Sequence, residues 1–186
     1  MTSSDRSEII WSDSDIAALN RTCSPEIAHA VDLAAHTGLR LSDLLRLSWS
    51  HVQEDAISFS TSRSRGRHEA IIPLYDDLRN VLARIPKRAT TILTSSKVRP
   101  WTPDGFGSSF NTAMKEAGIA DRDLHFHDLR GTAATRFYIV GLPIRVIAEI
   151  LASSEDQVDK IIRRYVPRGA ATKEAIRDLN ETRKRT

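Results

Sequence analysis

Apolar positions recur at three- and four-residue spacing through most of the chain, the pattern of helices that bury one face. After a polar start over 1–11 that reads as a loose segment, SDSDIAAL offers Ser and Asp caps for a short first helix. In SPEIAHAVDLAAHTG, Ser24 is the expected N-cap and Pro25 the first helical residue. Ile27, Ala30, Val31 and Ala34 make the buried stripe, and Gly38 closes the helix. LSDLLRLSW is read as the next helix, with Leu41, Leu44, Leu45 and Leu47 facing inward. The period then changes to two: AISFSTS and EAIIPL read as a hairpin around the basic tip RSRGRH. Short extra strands are expected just before the hairpin and at TTIL. Helical spacing resumes in YDDLRNVLARI, TPDGFGSSFNTAMKEAG, HDLRGTAATRFYIVG, PIRVIAEILA and SEDQVDKIIRRYV. The tail over 169–186 is amphipathic, with Ala171, Ile176 and Leu179 on one stripe. The expected fold is mainly α with one small antiparallel β-sheet, an α+β domain over 12–168 followed by a helical tail.

Charge sharpens this picture. The 27 basic and 24 acidic residues leave a net charge of only +3, but they are unevenly spread. Four basic and nine acidic residues lie before Ile57, against nine basic and three acidic from Ile57 to Trp101. That block suits a polyanion, or is a solvated surface; charge alone leaves both open. Arg outnumbers Lys 21 to 6, which favours forked phosphate contacts over point charges. The single Cys23 excludes an intrachain disulfide framework and Cys-based zinc fingers. No start resembles a secretory signal and no apolar run approaches the ~20 residues of a membrane span, so a cytoplasmic protein without membrane contact is expected.

Four residues have the chemistry of a metal-free phosphoryl-transfer site. Arg40 follows the break at Thr37-Gly38-Leu39, at the start of a new helix. His127 and Arg130 are three apart in HDLR, which puts them on one helical face. Tyr165 ends the basic stretch IIRRYV. Breaking a phosphodiester without a metal requires a nucleophile, fixed positive charge on the non-bridging oxygens and a proton for the leaving 5′ oxygen. Each residue also has an ordinary reading: a capping Arg, a common HxxR spacing, a Tyr with its hydroxyl at the surface.

Their order decides between these readings. HTGLRLSDLLRLSW, LHFHDLRGTAATRFYIVG and IRVIAEILASSEDQVDKIIRRYV resemble, in sequence, the three signatures of the tyrosine recombinase (phage integrase) family. The hairpin ending in IIPL and the TPDGFGSSF helix extend the resemblance over nearly the whole chain. The resemblance implies the catalytic-domain fold of DNA breaking-rejoining enzymes. It implies DNA recombination or integration on behalf of a mobile genetic element, without metal or other cofactor. Tyr165 would form a 3′-phosphotyrosine, Arg40 and Arg130 would clamp the phosphate, and His127 would accept or donate a proton beside the nucleophile. Asp43 would orient Arg40 as its i,i+3 partner, or be an exposed helix charge. The implied partners are double-stranded DNA and, when synapsed on it, further copies in a homotetramer, with a monomer allowed without DNA.

The chain departs from the family's pattern in three places. The hairpin Lys that protonates the leaving oxygen is absent, and Arg63, or Arg65 with a shorter tip, stands there; Arg holds its proton to above about pH 12. Arg63, Arg65 and Arg67 remain candidates for DNA contact. In ILASSED, Ala152 replaces a Gly, and Ser153 replaces the His or Trp that donates to the scissile phosphate. The amino-terminal core-binding domain typical of the family is also not expected, because Met1 lies so close to the catalytic segment. An impaired homologue that binds DNA and regulates a complete recombinase is the alternative, and a plain helical transcription regulator a third.

Overall fold

A computed structural model describes residues 9–61 and 69–166. Helix α1 (Asp13–Thr22) starts at Ser12, whose hydroxyl accepts from the Asp15 N–H while the Asp15 carboxylate accepts from the Ser12 N–H. Helix α2 (Pro25–Thr37) has Pro25 at its first turn and ends at Gly38, as its spacing predicts. After the single turn α3 (Leu41–Leu44) comes a hairpin of β1 (Ala56–Ser60) and β2 (Glu69–Pro73). Five helices follow: α4 (Asp76–Arg84), α5 (Pro103–Glu116), α6 (Leu129–Ile139), α7 (Ile144–Ile150) and α8 (Glu155–Tyr165).

Helix α2 is the hub. Ile27, Ala30, Val31, Leu33, Ala34 and Ala35 are all buried, more of its surface than one stripe, and it packs against α1, α4 and α6. Two strands suffice for the hairpin because one face is covered. Ile57, Phe59, Ala70 and Ile72 point into the core, while Ile71 points outward and is 53% exposed. The antiparallel register pairs Ala56 with Pro73 and Ser60 with Glu69. The tip, with Arg63, Arg65 and Arg67, lies outside the described residues, as does the tail over 169–186 with Ala171, Ile176 and Leu179.

Three expectations are corrected. The helix expected over 41–49 stops at Leu44, because the Leu47 carbonyl accepts from the Ile92 N–H (2.9 Å) and the Trp49 N–H donates to the Thr90 carbonyl (3.1 Å). Tertiary pairing of the backbone thus replaces intrahelical bonds, and a 3-10 turn follows at Trp49–His51. The extra strands reduce to isolated bridges, Val52 with Ile57 and Ser48 with Thr91. Trp11, placed in the loose start, is instead 1% exposed. Its N–H donates to Thr132 Oγ1 (2.8 Å), its indole N–H to the His125 carbonyl (2.9 Å), and its ring meets Phe110. Among the described residues, no helix is long and apolar enough to cross a membrane.

Candidate active site

Two helix ends meet at one buried arginine. At the first, Thr37 is fully buried and its hydroxyl works twice, donating to the Leu33 carbonyl (2.7 Å) and accepting from the Leu39 N–H (3.3 Å). This steers the chain through Gly38, whose φ of +65° lies in the left-handed region. Space favours glycine there as well, since a Cβ would collide with Leu151 Cδ2, which would have to move, and would lie 3.1 Å from Ala133 Cβ.

The second end is that of α7. The Ser153 N–H donates to the Ala148 carbonyl (2.9 Å) and the Ala152 N–H to the Glu149 carbonyl (3.1 Å), the paired bonds of a Schellman motif. Ala152 takes the left-handed position with φ +46°, so a residue with a Cβ does what Gly38 does at α2.

Arg130, in the first turn of α6 and 8% exposed, joins the two. One guanidinium nitrogen donates to the Gly38 carbonyl (2.7 Å) and the other to the Leu151 carbonyl (2.8 Å). Charge-assisted bonds of this kind are worth about 1.5–3 kcal/mol each, and they make the burial of the charge tolerable. Two residues beyond each carbonyl stand Arg40 and Ser153, and both line one open cleft of about 960 Å³. Arg40 starts α3 in an extended conformation, its carbonyl accepting from the Asp43 and Leu44 N–H groups. The cleft is also lined by Ile71, Pro73, Arg145 and Gln157, and by the acids Glu69, Glu149 and Glu155.

The other candidates are placed as follows. His127 is exposed and sits in a 3-10 turn (Phe126–Asp128) leading into α6, not within the α-helix itself. The turn is fixed by the buried Asp128, whose carboxylate accepts from the His125 N–H (2.8 Å). Asp43 is fully buried, so the reading as an exposed helix charge does not hold. Tyr165 is the last residue of α8, which packs against α6 and α7 through the buried Val158 and Ile162. Arg130 and His127 are not part of the cleft's lining, which carries Arg40 and Ser153. On the far side of the Gly38 turn, His36 Nδ1 lies 2.9 Å from the Tyr75 hydroxyl, which donates to the His36 carbonyl (3.0 Å). Burial, helped by nearby Arg136, holds the His36 imidazole below its ordinary pKa, and burial raises that of Tyr75.

Residues 12–167 match the model of the phage integrase family. The chain belongs to this family. It is 30% identical over 133 residues to the shufflon-specific DNA recombinase of Escherichia coli, and 29% identical over 143 residues to the integrase of Salmonella phage P22. These alignments cover 72% and 69% of this chain but only 32% and 36% of the relatives, so the chain spans about a third of their length. Its fold is that of the XerA recombinase (TM-score 0.67, 20% identity, 91% of this chain and 63% of that one). It is also that of lambda integrase, solved as a dimer bound to a COC′ core site (TM-score 0.68, 20% identity, 84% and 48%).

Sequence reasoning picked out Arg40, Arg130 and Ser153 but missed what connects them. The Thr-Gly pair in HTGLR signals the first turn; nothing in ILASSED announces that the Leu151 carbonyl would accept from Arg130. Gln157, which accepts from the Ser153 hydroxyl at 2.8 Å, was also missed, although it stands four residues beyond Ser153.

Proposed function

We propose that this chain is the catalytic domain of a site-specific DNA recombinase that cuts and rejoins double-stranded DNA through Tyr165. The observation that carries the reading is the Arg130 bridge, which holds together the turns that lead to Arg40 and Ser153 at one cleft. Family membership over 12–167 supports it.

In this mechanism the Tyr165 oxygen attacks phosphorus and the bond to the 5′ oxygen breaks. The phenolic proton passes to His127, and the 5′ oxygen, with no Lys acid at the hairpin, takes its proton from water as it leaves. Arg40 offsets the charge that grows on the non-bridging oxygens. Arg130, bonded to the Gly38 and Leu151 carbonyls behind the cleft's lining, adds its positive charge and fixes the turns that lead to the cleft. The 3′-phosphotyrosine conserves the bond energy, so a 5′ hydroxyl can attack it and restore the DNA. Synapsis on DNA would bring four copies together. With Arg63 or Arg65 in place of the hairpin Lys, expulsion of the 5′ oxygen is the slow step.

The test is incubation with a nicked duplex selected for binding from a random-sequence pool, followed by a denaturing gel. A covalent protein–DNA band that disappears in Tyr165→Phe is expected; no band despite binding would favour a regulator. Arg63→Lys, or Arg65→Lys for the other register, should speed cleavage of an ordinary phosphodiester. It should do less for a substrate with bridging sulfur, because a thiolate leaves without a proton.

A further inference from the structure

We propose that the side-chain amide of Gln157 is the neutral hydrogen-bond donor to the phosphate in this cleft, supplying what Ser153 in the His/Trp position does not. The inference rests on the recombinase reading for its substrate, but its geometry stands alone. The Ser153 hydroxyl donates to Gln157 Oε1 at 2.8 Å. A hydroxyl has one proton, so in this arrangement Ser153 turns only lone pairs to the cleft, and a phosphate oxygen needs a donor. The same bond orients the amide: with Oε1 held on Ser153, the two Nε2 protons are directed away from it. Both residues line the cleft with Arg40, and no described residue accepts from Nε2.

The conformation is not the ordinary one for this position. Ser154 caps α8 and Gln157 is its third residue, the spacing of a capping box. The Ser154 hydroxyl does accept from the Gln157 N–H at 3.3 Å. The Gln157 side chain, which would complete the box by turning back to the Ser154 N–H, takes the Ser153 hydroxyl instead. The glutamine side chain is also longer than a serine's by one methylene and the amide carbon.

The experiment uses the full chain with two readouts. In the first, ¹⁵N-labelled protein is titrated with inorganic phosphate. The side-chain amide pair of Gln157, assigned by its loss in Gln157→Met, should shift and saturate. In the second, the rate of Tyr165 adduct formation is measured on the selected nicked duplex. Gln157→Met keeps length and helix propensity, and it should slow the reaction about 10²-fold with DNA affinity nearly unchanged. Ser153→Ala should cost less, because it only loosens the amide, and Ser153→His should rescue Gln157→Met. An unmoved amide overturns the proposal. So does a Gln157→Met rate within about twofold of wild type. A shifting amide in a chain that forms no adduct upholds the phosphate donor and defeats the recombinase reading. An adduct formed equally fast by Gln157→Met does the reverse.

Discussion

The ends of α2 and α7 are built alike and filled differently. Both close on a left-handed residue, both sit next to a carbonyl that accepts from Arg130, and both lead within two residues to a side chain on the cleft. At α2 the left-handed residue is Gly38, where backbone angle and lack of space both favour glycine. At α7 it is Ala152, where the angle favours glycine but an alanine is accommodated. A left-handed non-glycine residue costs about 1–2 kcal/mol, which a domain can carry where nothing collides with the Cβ. A Cβ is therefore accommodated at the end of α7, whereas at the end of α2 it would have to displace Leu151.

The comparison can be broken at the arginine that links the two ends. Arg130→Met should have the largest effect. It leaves the Gly38 and Leu151 carbonyls without their buried donor and should destabilise the fold by about 2–5 kcal/mol in urea unfolding. Gly38→Ala comes next. Left-handed strain and the collision with Leu151 together should cost about 2–4 kcal/mol, and the adduct rate should fall because Arg40 is displaced. Ala152→Gly should act in the opposite direction. Relief of strain outweighs the added unfolded-state freedom, and the thermal midpoint should rise by the equivalent of about 0.5–1 kcal/mol. A fall there would show that the two ends are not comparable.

The smallest expected effect is of pH on the first turn. His36 has a lowered pKa in the fold, so at mildly acid pH the unfolded chain binds more protons and stability must drop. The loss should begin as pH falls through the ordinary histidine range near about 6.5 and end below the folded value. Unfolding free energy measured across that window should be less steep in His36→Gln than in the wild type.

Legibility followed how local the determinant was. Ser12, Ser24-Pro25 and Thr102-Pro103 mark helix starts within a few residues, and the hairpin's alternation marks the buried face of each strand. The helix expected over 41–49 was misread because the Leu47 and Trp49 backbone pairs with residues more than forty positions on. Trp11 was misread for the same reason: its partners, Thr132 and His125, are over a hundred positions away. In the candidate site, Arg40 and Arg130 stand out in the sequence only through the family resemblance of the segments that hold them. That Arg130 reaches both helix ends, and that Ser153 gives its proton to Gln157, depends on how α6, α7 and α8 pack.

The central claim is that Tyr165 carries the DNA covalently. The direct measurement is mass spectrometry of the full chain after incubation with the selected nicked duplex, nuclease trimming and proteolysis. The account predicts a nucleotide joined through its 3′ phosphate to the peptide containing Tyr165, with a free 5′ hydroxyl on the released strand. Attachment at any other residue, or an adduct that persists in Tyr165→Phe, would contradict it.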